Sequence, residues 1–151
     1  LAAVMMNAPQ DVFVSGSDGY GCFRIPVLLR LATGAIAAFA EAQRLPRWGT
    51  AHDRVSEMSL DNGTSWSALR VVHSESNASV PSVVIGNPTP VVLPDGRVLI
   101  VVTRNVRQLL ALTSTGKDAL SWGTALDLTP QVTNCSSCSL ASGPAHGVLL
   151  D

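Results

Sequence analysis

Three places in this sequence carry side chains whose types and spacing could do chemistry. Cys135-Ser-Ser-Cys138 has the spacing of a redox pair or of half a zinc site. Cys22 makes the cysteines odd in number, so they cannot all pair with one another, and no second such motif or βαβ pattern accompanies the pair. Buried or loop thiols are the reading, ahead of a local disulfide. Phe23-Arg24-Ile25-Pro26 offers a guanidinium, which can hold a carboxylate through two parallel N–H bonds as a lysine cannot. Taken alone, Arg24 is a surface arginine. Ser59-Leu-Asp61-Asn-Gly63-Thr-Ser65-Trp66 gathers hydroxyls, a carboxylate and a glycine into one turn. Asp61 and Ser59 can bond backbone donors, Gly63 supplies a positive φ, and Trp66 packs beneath. That chemistry is structural.

The elements that must position these groups are strands. Helical periodicity is nearly absent, and short β-type runs bounded by Gly, Pro, Asn and Asp recur. A hairpin over 23–40 turns at Thr33-Gly34. A strand over 54–59 leads through Asp61-Asn-Gly63 to Trp66 and a strand over 67–72. The pattern then repeats as a hairpin over 90–103 turning at Asp95-Gly96, a strand over 107–113, Trp122 and a strand over 123–127. A four-stranded antiparallel unit in tandem, with a Trp after the third strand, predicts β-propeller blades rather than a two-sheet sandwich. The fold class is therefore all-β, with about two to three blades, the last cut off in a strand-like Gly147-Val-Leu-Leu150. The whole of 1–151 is expected to be the N-terminal part of a single, incomplete propeller domain.

Composition agrees. The 151 residues are 46% hydrophobic and only 14% charged, below the quarter usual for soluble domains, which suggests a surface partly covered by the rest of its own propeller. A net charge of −1 leaves no electrostatic footprint for nucleic acid or anionic membrane, and no apolar run reaches membrane-spanning length. Leu1 to Ala8 reads as a signal-peptide stub or a truncated coil. The sequons at Asn62, Asn77 and Asn134 tilt the location toward the secretory or lysosomal route. Neither a metal nor a cofactor signature is present.

Four segments in order resemble the sialidase (neuraminidase) family. Phe23-Arg-Ile-Pro26 is similar to its [FY]-R-I-P signature, with Val27-Leu-Leu and Ala38-Phe-Ala-Glu41 following as in its RIPALL…AFAE. Ser59 to Trp66 matches the Asp box, and Thr115 to Trp122 looks like a decayed copy with Lys117 and Ala119 at the Asp and Gly positions. Gly86-Asn87-Pro88-Thr89-Pro90-Val91 resembles its [ND]-P-x-P-V, and Ser142-Gly-Pro-Ala-His146-Gly-Val148 its GPGHGI segment. The resemblance implies a propeller, six-bladed when complete, and an exo-α-sialidase that releases terminal sialic acid from sialylated glycans. It implies that Arg24 is one of the arginines clamping the substrate carboxylate and that Asn87 lines the pocket near the ring hydroxyls.

The departures matter as much. The family's second arginine follows the acid after AFA. Here Glu41-Ala-Gln43-Arg44 places it one residue late, so either Arg44 serves through a small loop shift or Gln43 has replaced it. The family's loop aspartate, a general acid/base, has no counterpart in Leu45 to Ala51. Asp53 is the first acid, either the proton donor or a strand-edge Asp, and His52 could also donate a proton. His73, His146 and Pro144 read as structural and Trp48 as a loop anchor. The family's tyrosine nucleophile, an exception among glycosidases, comes from later sequence, and the lone Tyr20 lies upstream of the arginine motif. An inactive chain by itself is expected, as part of an exo-α-sialidase or of a non-catalytic sialic-acid-binding or structural Asp-box propeller.

Overall fold

A computed structural model describes residues 9–44, 52–75, 83–143 and 145–150. Its strands form two four-stranded antiparallel sheets. The first contains β1 (Cys22–Arg30), β2 (Ile36–Gln43), β3 (His52–Ser59) and β4 (Arg70–His73), in that order. The second contains β5 (Ile85–Val92), β6 (Val98–Arg104), β7 (Gln108–Thr113) and β8 (Leu126–Asp127), again in chain order. Each hairpin closes where a glycine takes the left-handed conformation its turn requires, Gly34 at φ 89° and Gly96 at φ 87°. The two sheets are propeller blades.

Both faces of β2 are buried, which explains its unbroken apolar run. Ala37 and Phe39 turn toward the second blade, where Phe39 meets Ile100, Val102 and Leu112 in one core and Trp122 edge-on at 6.0 Å. Ala40 and Ala42 turn the other way, toward Tyr20 and Val55, with Phe13 and Phe23 packed alongside. Burying one aromatic side chain such as Phe39 contributes about 1.5–3 kcal/mol.

The two blades share a feature in their first strands. In β1 the register slips between Arg24 and Val27, so Ile25 and Pro26 together face Ala40 of β2. In β5 it slips between Gly86 and Thr89, so Asn87 and Pro88 together face Val102 of β6. Each is a β-bulge of two residues against one. In each the residue before proline lies at positive φ, 51° for Ile25 and 53° for Asn87. Proline lacks an N–H, so leaving it outside the ladder strands no donor. For a β-branched residue such as Ile25 this backbone is strained, by roughly 1–3 kcal/mol.

The tryptophans take matching places. The N–H after Trp66 donates from Ser67 to the Met58 carbonyl at 2.8 Å, and the N–H after Trp122 donates from Gly123 to the Thr113 carbonyl at 2.9 Å. By that register Ser114, not Thr115, stands where Ser59 stands in the first blade, one residue earlier than the motif alignment placed it. Ala119 does hold the glycine position: it is left-handed at φ 55° and buried.

Several boundaries differ from those expected. β5 begins at Ile85 rather than 90, because the bulge absorbs Gly86 to Pro88 without ending the strand. The fourth strands are shorter than 67–72 and 123–127, since the chain leaves each Trp turn before it rejoins the ladder. A single helical turn, α1 (Thr129–Val132), follows β8 with a proline in its first turn. Gly147–Leu150 is not a strand; Val148, Leu149 and Leu150 are exposed, and no ladder pairs them among the described residues. Cys135 and Cys138 are not thiols but a disulfide, closed where the Cys138 N–H turns back toward the Cys135 carbonyl.

In the Asp-box turn the Ser59 hydroxyl donates to Asp61 Oδ1 at 2.8 Å and accepts the Gly63 N–H at 2.7 Å. The Ser65 hydroxyl and N–H donate to the two Asp61 oxygens at 2.6 and 2.8 Å. The Ser65 hydroxyl first, then its N–H and Ser59, hold the Asp61 carboxyl down at about 2. A carboxyl held below its unfolded value stabilises the fold above that value and loses this contribution as pH falls through the folded value. Thermal unfolding followed between about pH 5 and pH 2 should therefore show stability falling below about pH 4. Asp61→Asn should lower stability at neutral pH and make that acid slope shallower; an unchanged slope would remove the turn from the acid response.

Candidate functional site

At one end of the blades β1, β3 and β5 begin and β2 and β6 end, so residues far apart in sequence arrive together. The ladder sets Arg24 opposite Glu41 and Glu41 opposite Arg54. Glu41 is the middle of this row and is nearly inaccessible, at 5% exposed. Its Oε1 accepts the Asn87 N–H at 2.9 Å, reaching from the first blade to the bulge of the second. Gly86 gives it room: a Cβ there would lie 2.9 Å from Glu41 Oε1 and 3.1 Å from Thr103 Oγ1. The Asn87 side-chain amide in turn faces Thr103 Oγ1 at 3.4 Å.

Behind Glu41 lie His52 and Arg54, both fully buried. Gln43 accepts the Cys22 thiol at 2.7 Å and donates its amide to His52 Nε2 at 2.8 Å. With Nε2 accepting, the His52 proton sits on Nδ1, which faces Glu41 Oε2 at 3.6 Å. Arg54 donates Nη2 to the Ile85 carbonyl at 2.7 Å, a second tie between the blades. Burial pushes the Glu41 carboxyl up, but His52, the Asn87 N–H and the charge of Arg54 outweigh it and hold the group below its ordinary value. Burial pushes the Arg54 guanidinium down to about 10 against the opposing pull of Glu41.

Asp53 lies on the opposite face of β3. It is fully buried at the start of β3, a central strand of its sheet, with Oδ2 accepting Tyr20 Oη at 2.8 Å and Arg44 Nη2 at 2.9 Å. Burial first, then the hydrogen bond and charge of Asp53, push the Tyr20 phenol well above its ordinary value. Arg44 leaves β2 half exposed and is committed to this carboxylate.

The structure thus gathers Arg24 and Asn87 around Glu41 and places Arg44 and Asp53 together across the sheet at the same end. Arg24 borders a cleft of about 410 Å³ with Phe23, Pro26 and Leu28, floored by Ala38 and Ala40. Ser142 and Gly147 lie against β5: Ser142 Oγ donates to the Asn87 carbonyl, Thr89 Oγ1 to the Ser142 carbonyl, and the Gly147 N–H to the Pro90 carbonyl. The His146 ring contacts the Leu28 carbonyl of β1, and His73 pairs with Glu75 at 3.0 Å. Trp48, Pro144 and the acid-free stretch from Leu45 to Ala51 lie outside the described residues. Among the described residues no cluster of His, Cys, Asp or Glu is set to hold a metal ion, and no helix is long and apolar enough to cross a membrane.

No protein-family model matches the sequence. An exo-alpha-sialidase of Aspergillus fumigatus is 30% identical over 170 aligned positions, covering 91% of this chain and 41% of that protein. One of Arthroderma benhamiae is 28% identical, covering 95% and 42%. Among solved structures, the Hadza microbial sialidase Hz136 superposes on 80% of this chain with a TM-score of 0.71 at 20% identity, using 28% of its own length. Over nearly its whole length the chain is similar to sialidases. A Trypanosoma rangeli sialidase, solved in complex with a 2,3-difluoro-KDN, shares the fold at a TM-score of 0.61 and 17% identity over 80% of the chain and 23% of its own. The chain spans about two fifths of the length of the curated relatives it matches.

The motifs that point to a sialidase marked Arg24 and Asn87 but not what holds them. Glu41, His52 and Arg54 form a buried polar group that the alternation Phe39-Ala-Glu41-Ala-Gln43 could have flagged, because one face of a strand that carries Phe39 also carries Glu41. Arg54→Met should be strongly destabilising, by about 3–5 kcal/mol, because it leaves the Glu41 carboxylate buried without its counter-charge. Urea unfolding measures it, and a loss under about 1 kcal/mol would mean that Glu41 does not depend on Arg54.

Proposed function

We propose that the protein carrying this chain is an exo-α-sialidase, and that the blade end holding Arg24, Glu41 and Asn87 is its part of the sugar site. The observation that carries the reading is the convergence of the arginine-motif bulge and the Asn-Pro bulge on one buried carboxylate. The exo-alpha-sialidases of Aspergillus fumigatus and Arthroderma benhamiae, matched along nearly the whole chain, supply the reaction class. In this reading the two blades belong to one propeller ring completed elsewhere in the protein.

The chemistry follows from the groups. A sialoside carries a permanent carboxylate, and Arg24 holds it by paired N–H bonds. Asn87, re-aimed by its bulge, meets the ring hydroxyls. Arg44 stands at the rim as the second cation, oriented by Asp53. Asp53, buried and already shared by Tyr20 and Arg44, serves as that anchor, and the proton for the leaving group comes from another residue. The nucleophile comes from other blades. Binding without cleavage is the second reading, favoured by the absence of any carboxylate between Leu45 and His52.

On the intact protein, a fluorogenic sialoside assay should show turnover. Arg24→Ala should lower kcat/KM by roughly a hundredfold or more, since two charge-assisted hydrogen bonds are lost. Arg24→Lys should fail to restore it, because an ammonium cannot pair bidentately. Turnover unaffected by Arg24→Ala would refute the clamp. Sialic acid binding without turnover would select the second reading.

A further inference from the structure

We propose that Glu41 is the positioning residue of this site: its carboxylate fixes the backbone of Asn87 from across the blade interface and thereby sets how the sugar is held. The inference rests on the sialoside reading of Arg24 and Asn87. Glu41 is nearly inaccessible to solvent and, in that reading, does not touch the substrate; it acts through Asn87.

The geometry separates two tasks that one carboxylate performs. Its charge answers Arg54, which stands beside it in the ladder and is wholly buried. Its reach serves Asn87: Oε1 accepts the N–H of a residue held at φ 53° immediately before a proline, a backbone for which the ladder itself supplies no partner. An extended chain would point that N–H elsewhere, so the hydrogen bond selects the bulged form. The Asn87 carbonyl is bound on its other side by the Ser142 hydroxyl, at 2.5 Å. The Asn87 peptide groups are therefore clamped from two directions, while its side chain is left to Thr103 Oγ1 and to a ligand. Gly86 belongs to the same device, because any larger residue there occupies the space the Glu41 carboxylate needs.

A charge-conserving shortening distinguishes the two tasks. Glu41→Asp keeps a carboxylate beside Arg54 and His52 but is one methylene too short to reach the Asn87 N–H. In the intact protein it should raise KM for the sialoside about tenfold while kcat, normalised to folded protein, stays within about twofold, the signature of lost uniform binding. Gly86→Ala approaches from the other side. It leaves Glu41 and its charge intact, takes a backbone that is not left-handed, and displaces the carboxylate by crowding Oε1. It should raise KM in the same way. If the protein binds sialic acid without cleaving it, the same ratios are read from Kd by calorimetry.

KM or Kd unchanged within about twofold in both variants would overturn the proposal and leave Glu41 as a counter-ion to Arg54 alone. Should Glu41→Asp fail to fold, Gly86→Ala decides by itself. Arg24→Ala, measured alongside, tells the two failures apart. A large effect there with none at Glu41 and Gly86 sinks the positioning role, and no effect at Arg24 sinks the site reading beneath it.

Discussion

The hydrogen bond from the Asn87 N–H to the buried Glu41 carboxylate, 46 residues away in sequence, is the constraint on which this end of the molecule depends. An ionised carboxylate at such depth is costly unless it is paired and fully bonded. Here the chain answers the cost with Arg54 on one side, His52 on another and a backbone N–H on a third. The partners come from two places: Arg54 and His52 from the neighbouring strand, Asn87 from the next blade. The blades are thus joined by more than apolar contact. Hydrophobic packing of Phe39 against Ile100 and Leu112 brings the sheets together, but it is non-directional. The Glu41–Asn87 and Arg54–Ile85 bonds give that packing its register.

The paired bulges supply the second half of the arrangement. A regular strand would alternate its side chains across the sheet, and a one-residue insertion reverses the alternation from that point on. In β1 the reversal separates Arg24, before the bulge, from Val27, which enters the core after it. In β5 it separates Gly86 from Thr89 in the same manner. One strand thereby presents polar chemistry at its start and an apolar core face along its length. The equivalence also explains why the arginine motif and the Asn-Pro motif, unlike in sequence, arrive at one place: they are the same position in successive blades.

Much of the fold could be read from the sequence because its signals are local. Thr33-Gly34, Asp95-Gly96 and the two tryptophans mark turns by chemistry that acts within a few residues. Signals that depend on a distant partner were misread. The hairpin expected from residue 90 begins at Ile85 instead, because β5 is the first strand of its sheet, where the missing N–H of Pro88 and Pro90 is tolerated. Gly147–Leu150 had a strand's composition without a ladder to join. The disulfide was weighed against free thiols by counting cysteines, which says nothing about a turn that brings Cys135 back to Cys138. At the site, Arg24 and Asn87 carried motif-level signals. The alternation in β2 hints at Glu41, but its pairing with Arg54 and the Asp53–Tyr20–Arg44 group became visible only through strand register, which fixes who faces whom.

Ala119 shows what happens to a turn after its dictating residues have gone. The first blade's turn is written by Asp61 and Gly63; the second has lost both and keeps the left-handed backbone at Ala119. The alanine methyl is buried in the core between the blades, so the position answers two opposed demands. Glycine would relax the backbone but remove a packed methyl group, and any larger residue would crowd the core while keeping the strain. The left-handed turn that a motif specifies in the first blade is held in the second by packing against its neighbours, so one geometry has two different physical causes in successive blades.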